Sequence, residues 1–118
     1  VIRDYQNKIK SDMPSTVTFV EGESINSLVE LLKEFEGQKL YIDVWATWCV
    51  PCKKEFSNNH KIAGMLEDNA YKKLFISLDR ENEKDKWMDL IKYYELSGYH
   101  HLANQEFYKD FASEHSRI

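Results

Sequence analysis

The chain's two cysteines stand two residues apart, in Cys49-Val50-Pro51-Cys52. At the start of a helix that spacing brings the sulfurs within disulfide range. It also leaves the first sulfur facing backbone N–H groups that lack an intrahelical acceptor. Those groups and the helix macrodipole favour a thiolate, which lowers the first cysteine's pKa and makes it nucleophilic at neutral pH. Pro51 suits the first helical turn, where its missing N–H costs nothing. The pair therefore reads as a dithiol/disulfide couple that exchanges electrons with another disulfide.

Other chemistries are open to a CxxC. A zinc site needs further ligands, and the sequence has no second CxxC and no HxxxH. His100-His101 would have to supply them, and adjacent histidines point in different directions. Haem attachment needs a histidine directly after the second cysteine, where Lys53 stands. A purely structural disulfide in a small exported domain is the competing reading. No metal and no cofactor is expected beyond the Cys49/Cys52 couple.

The elements around the pair set its context. Residues 40–45 (Leu-Tyr-Ile-Asp-Val-Trp) and 74–78 (Leu-Phe-Ile-Ser-Leu) are short, nearly continuous apolar runs, the pattern of strands covered on both faces. Between them Phe56, His60, Ala63 and Glu67 keep helical spacing, so the stretch reads as a right-handed parallel βαβ unit. The cysteines fall where its first strand gives way to its helix. Residues 16–20 read as a short strand, and Ser24 as the cap of a helix carrying Ile25, Leu28, Val29, Leu32 and Phe35 before Gly37. Asn82 is expected to cap a helix with Trp87, Leu90, Ile91 and Tyr94 on one stripe, broken at Gly98. Asn104 is expected to open a last helix through Phe107 and Phe111. The alternation places the chain in the α/β class.

Composition narrows the functional classes. With 118 residues, one domain is the expectation: a lead-in over residues 1–14, polar and without clear period, and a domain over 15–118. Hydrophobic residues at 42% exclude a disordered chain, and two cysteines exclude a disulfide-stapled mini-protein. The formal charge of −4 argues against a nucleic-acid partner. No apolar run approaches the roughly 20 residues needed to cross a bilayer, so no membrane insertion of this segment is expected. Residues 1–10 are charged throughout, without the apolar core of a secretory signal.

Trp45-Ala46-Thr47-Trp48-Cys49-Val50-Pro51-Cys52-Lys53-Lys54-Glu55 resembles the WATWCxPCxxE segment of thioredoxin-fold proteins, and is most similar to the TlpA/ResA-like thiol–disulfide oxidoreductases of bacterial envelopes. The resemblance implies a thioredoxin fold with Cys49 as attacking nucleophile and Cys52 as resolving thiol. It implies protein thiol or disulfide substrates, an upstream reductant, and an envelope or periplasmic location with an anchor supplied from outside this segment. Asp43, six residues before the first cysteine, matches the buried Asp of thioredoxins, which acts as proton acceptor for the resolving thiol. A carboxylate in an apolar strand is costly unless paired or neutral, and burial should raise its pKa. Trp48, Val50 and Pro51 are the candidate substrate contacts, while Trp45 is expected to pack. Glu55 matches the pattern without a chemical role that sequence can supply.

Thioredoxin-fold oxidoreductases also carry a cis-proline opposite the CxxC, then a β-hairpin and a final helix. Neither Pro14 nor Pro51 can fill that place, and Ile118 resembles the residue just before it. The resemblance thus implies a domain lacking its C-terminal hairpin and last helix, about 25–35 residues by usual domain size. Loss of those strands is expected to expose a sheet edge and favour a dimer through it.

Overall fold

The computed structural model describes residues 2–22 and 24–115. In chain order the elements are α1 (Ile2–Lys10), β1 (Val17–Phe19), α2 (Leu28–Leu32, continued by a 3₁₀ turn Lys33–Phe35), β2 (Lys39–Trp45) and α3 (Val50–Asp68). Then come β3 (Tyr71–Ser77), a 3₁₀ turn Glu81–Glu83 leading into α4 (Lys84–Tyr93), β4 (Gly98–Leu102) and α5 (Gln105–His115).

Among the described residues the three strand pairings are all parallel, in the order β1-β4-β3-β2. The expected βαβ unit is present: β2 and β3 pair along their full lengths, from Lys39 opposite Tyr71 to Trp45 opposite Ser77, with α3 as the crossover. Successive side chains of β3 enter opposite cores, because strand residues alternate between the two faces of a sheet. Leu74 and Ile76 join Leu31, Phe35 and Phe107 under α2 and α5. Phe75 joins Trp45, Phe56, Trp87 and Ile91 under α3 and α4. Each fully buried apolar side chain contributes about 1.5–3 kcal/mol, so β3, lined on both faces, is the spine of the molecule.

Several sequence expectations shift. Helix α2 is capped by Ser27, whose Oγ accepts from the Glu30 N–H at 3.2 Å; Ser24 instead lies in a turn closed by Ile25 N–H on the Gly22 carbonyl. Leu31, not Val29, carries the buried position of that helix, and Val29 is exposed. The segment after α4 is a strand where sequence suggested only a break. Gly98 has φ +136°, and a Cβ there would stand 2.8 Å from the Lys73 carbonyl oxygen, so glycine is required for β4 to slip between β1 and β3. His100 and His101, weighed above as zinc ligands, lie on this strand and are buried. The segment before β1 also has more order than its composition implied: α1 packs on α4, with Tyr5 and Tyr93 edge to face at 5.0 Å. Asn104 behaves as expected, its Oδ1 accepting from the Phe107 N–H at 2.8 Å. The strand expected within residues 16–20 is β1, which pairs with β4 of the same chain. Among the described residues the sheet has two edge strands, β1 and β2. Ile118 lies outside the described residues.

Candidate functional site

The chain leaves β2 at Trp45, turns through Ala46–Cys49 and enters α3 at Val50. Cys49 N–H donates to the Ala46 carbonyl at 3.0 Å to close the turn. Cys49 is the N-cap of α3, and its Sγ accepts from the Cys52 N–H at 3.3 Å. Pro51 falls in the first turn, where the sequence placed it. Cys49 and Cys52 are joined by a disulfide, with their Cα atoms 5.3 Å apart. Both residues are half-buried. Cys52 packs against the Trp45/Phe56 core and lies 4.0 Å from the Val44 carbonyl oxygen. Cys49 sits between two exposed apolar side chains, Trp48 (60% exposed) and Val50 (54%). A helix N-terminus holding one sulfur of a disulfide can stabilise that sulfur as a thiolate when the bond is reduced.

The other expected residues fall into two groups. Trp45 is buried and meets Phe56 edge to face at 5.1 Å, a packing residue as anticipated. Trp48, Val50 and Pro51 form the exposed rim beside the disulfide. Trp48 also borders an open cleft of about 1430 Å³ over the C-terminal ends of β1, β3 and β4, with Arg80, Trp87, His101 and Tyr108 among its walls. His60, placed by its spacing on the inner stripe of α3, is exposed and meets the Tyr94 carbonyl at 3.1 Å.

Asp43 lies on β2, one residue before Val44, and its carboxylate accepts from Asn59 Nδ2 of α3 at 3.1 Å. It is half-buried rather than enclosed, because β2 is an edge strand and one flank of its side chain stays open. Lys73 of β3 accompanies it: the ammonium sits 4.6 Å from the Tyr41 ring centre and 5.0 Å from that of Phe75, without a hydrogen-bond acceptor. Burial pushes the Lys73 pKa down, and the charge of Asp43 opposes that shift.

A second carboxylate went unnoticed in the sequence. Asp79 is 1% exposed and lies just past the end of β3. Its two oxygens each accept from the Thr47 N–H at 3.0 Å, one also from the Thr47 hydroxyl at 2.6 Å, and the other from the Ser77 hydroxyl at 2.6 Å. The Thr47 hydroxyl also lies 3.4 Å from Glu83 Oε2. The available signal was weak: a Ser-x-Asp at a strand end, without any indication of which loop it would meet.

These features are those of a known architecture. A solved structure from Bacteroides vulgatus, assigned as a thiol–disulfide oxidoreductase, superposes with a TM-score of 0.57 over 86% of this chain and 66% of its own, at 24% identity. Among curated proteins, the thiol–disulfide oxidoreductase ResA of Bacillus thuringiensis is 26% identical over 95 residues, covering 80% of this chain and 51% of the relative. ResA of Bacillus subtilis is 39% identical over 46 residues, which is 39% of this chain and 24% of the relative. The fold is thioredoxin-like, and the curated proteins it resembles are ResA thiol–disulfide oxidoreductases. No protein-family model matches the chain. The chain spans about half the length of the curated ResA relatives first matched. In this thioredoxin-like domain β2 leads to the CxxC, the CxxC opens α3, and Asp79 ties the end of β3 to the turn between them.

Proposed function

We propose that the domain is a thiol–disulfide oxidoreductase acting on protein disulfides, with Cys49 as nucleophile and Cys52 as resolving thiol. The observation that carries this reading is the Cys49–Cys52 disulfide at the N-terminus of α3, with Cys49 Sγ accepting from a helix amide beside an exposed tryptophan. In the reductive direction the Cys49 thiolate attacks one sulfur of a partner disulfide. A Cys49–partner mixed disulfide forms, and the partner's other sulfur leaves as a thiolate that takes up a proton. Cys52, deprotonated, then attacks Cys49 Sγ and releases the second partner thiol. Two electrons pass to the partner, and the domain returns to its disulfide. Asp43 is the proton acceptor for Cys52 in this scheme, supported by its place next to Val44, whose carbonyl faces the Cys52 sulfur. Trp48, Val50 and Pro51 present the apolar surface that meets the partner chain.

The couple needs no metal or cofactor in this scheme, and an upstream thiol reductant restores the dithiol. No helix among the described residues is long and apolar enough to cross a membrane. We place the domain in a bacterial envelope or periplasm, tethered through sequence outside this segment, on the strength of the ResA resemblance. The unpaired edge of β2 is where a second copy would dock if the segment dimerises.

The competing reading is a non-catalytic thioredoxin-like domain whose disulfide is a staple. A disulfide-reductase assay driven by a small dithiol separates the two. Cys49→Ser should abolish turnover, and Cys52→Ser should accumulate mixed disulfides with substrate, visible as mass adducts removed by reductant. Equal, slow alkylation of both reduced thiols, with no adduct in Cys52→Ser, would establish the staple instead.

A further inference from the structure

The ladder between β2 and β3 ends with the Leu78 N–H on the Trp45 carbonyl, at 2.9 Å. Beyond it the chain must turn sharply to begin α3, and the next backbone donor of the turn is the Thr47 N–H. Strand β3 has ended by then, so no backbone carbonyl of the ladder faces that donor. The Asp79 carboxylate takes the carbonyl's place, and it takes the Thr47 hydroxyl as well. Asp79 is in turn fixed from its own strand: the Ser77 hydroxyl donates to it at 2.6 Å, and its N–H donates to Ser77 Oγ at 3.0 Å. Thr47, Ser77 and Asp79 are all essentially inaccessible to solvent. Among the described residues no cation forms an ion pair with Asp79; neutral donors alone hold its carboxylate.

We propose that Asp79 is a positioning residue for the exchange reaction, acting through Thr47 to hold Cys49 over the first turn of α3. The lever is short. Two residues of chain span at most about 7 Å, so any shift at Thr47 passes directly to the Cys49 sulfur. The sulfur's contact with the Cys52 N–H at 3.3 Å is the interaction that such a shift would lose, and with it part of the thiolate's stabilisation. The role rests on the function proposed above, yet it concerns the acidity of one thiol and can be read without any partner protein.

The test follows Cys49 alkylation by iodoacetamide against pH, in the full chain carrying Cys52→Ser so that one thiol remains. Thr47→Val keeps the shape of the side chain and removes its hydroxyl. It should raise the pH midpoint by about half to one unit and slow alkylation at pH 7 about threefold to tenfold. Thr47→Ser restores the hydroxyl and should return both values to those of the parent. In an Asp79→Asn background the same Thr47→Val change should shift the midpoint much less, because the partner it acts on has changed. A Thr47→Val midpoint equal to the parent's, or an equal shift in both backgrounds, overturns the proposal even where melting temperatures fall. If Asp79→Asn does not fold by circular dichroism, the Val/Ser pair decides alone. Alkylation needs no disulfide substrate, so failure of positioning and absence of reductase turnover are separate results.

Discussion

Two carboxylates flank the turn that carries Cys49, and their surroundings differ. Asp79 is sealed: it is 1% exposed, and Thr47 and Ser77 supply three donor groups to its oxygens. Asp43 is half-open on the edge strand, accepts one hydrogen bond from Asn59, and has the lysine of a neighbouring strand close by. A carboxylate whose oxygens are occupied inside a dry site is held stationary, and serves to fix a backbone. One with free lone pairs and a path to solvent is the carboxylate to which the proposed scheme assigns proton transfer. The same residue type thus stands in two settings, one that holds the turn and one proposed to serve its chemistry, and burial with donor count separates them.

The largest effect should come from breaking the sealed side. Asp79→Ala leaves the Thr47 N–H, the Thr47 hydroxyl and the Ser77 hydroxyl buried without their acceptor. The loss should be about 3–5 kcal/mol of unfolding free energy, measured by urea denaturation. A loss below about 1 kcal/mol would mean that water or Glu83 takes over, and the contrast drawn above would collapse.

Acid probes the sealed side in a second way. His100 is stacked on Phe75 at 4.7 Å, gives its Nε2 to the Leu96 carbonyl, and leaves Nδ1 buried without a partner. Burial pushes its pKa down to about 4, against 6.5 for a free imidazole, while the bond to Leu96 opposes the shift. His101 is shifted the same way by burial. Between those two pKa values the unfolded chain binds the proton that the folded one refuses. Stability should therefore be intact above about pH 6.5 and fall as pH drops toward 4, by up to about 3 kcal/mol from His100. Denaturation curves at pH 7, 5.5 and 4.5 test this, with His100→Phe expected to flatten the decline. An unchanged slope in that variant would assign the acid sensitivity elsewhere.

On the open side the expected pattern reverses, with rate affected more than stability. Asp43→Asn should change unfolding free energy by less than about 1 kcal/mol while slowing reductase turnover at pH 7 by about tenfold to a hundredfold. Turnover unaffected by this substitution would remove Asp43 from the mechanism. The smallest effect should come from Lys73→Met. That ammonium is packed between two rings without an acceptor, so an apolar side chain of similar length should be neutral or stabilising by about 1 kcal/mol. A loss of more than about 2 kcal/mol would show that the lysine and Asp43 act as a tightly coupled pair.

The legible part of the molecule was the part whose evidence is local. Residues 40–45 and 74–78 are apolar enough to be read as buried parallel strands, and Pro51 beside two cysteines marks a helix start. From these the βαβ unit and the CxxC at its strand–helix junction follow. Strand β4 was not legible. Its Tyr-His-His core carries no apolar run, and His100 and His101 are buried only because β1 and β3 close on either side. The enclosure expected for Asp43 did not materialise because an edge strand leaves one flank open, and edge position is a property of strand order.

By itself, then, the sequence determined the α/β class, the βαβ unit and the two sulfurs, since short-range periodicity and spacing encode each of them. The tertiary structure alone decided which carboxylate would be sealed and which left open. Asp79 meets Thr47 across 32 residues of chain, and that meeting depends on the β2–β3 register. A one-residue slip would turn every side chain of the strand to the other face and dissolve the contact. Register is settled by the packing of Phe75 and Ile76 into two separate cores, and no property of Asp79 or its immediate neighbours announces it.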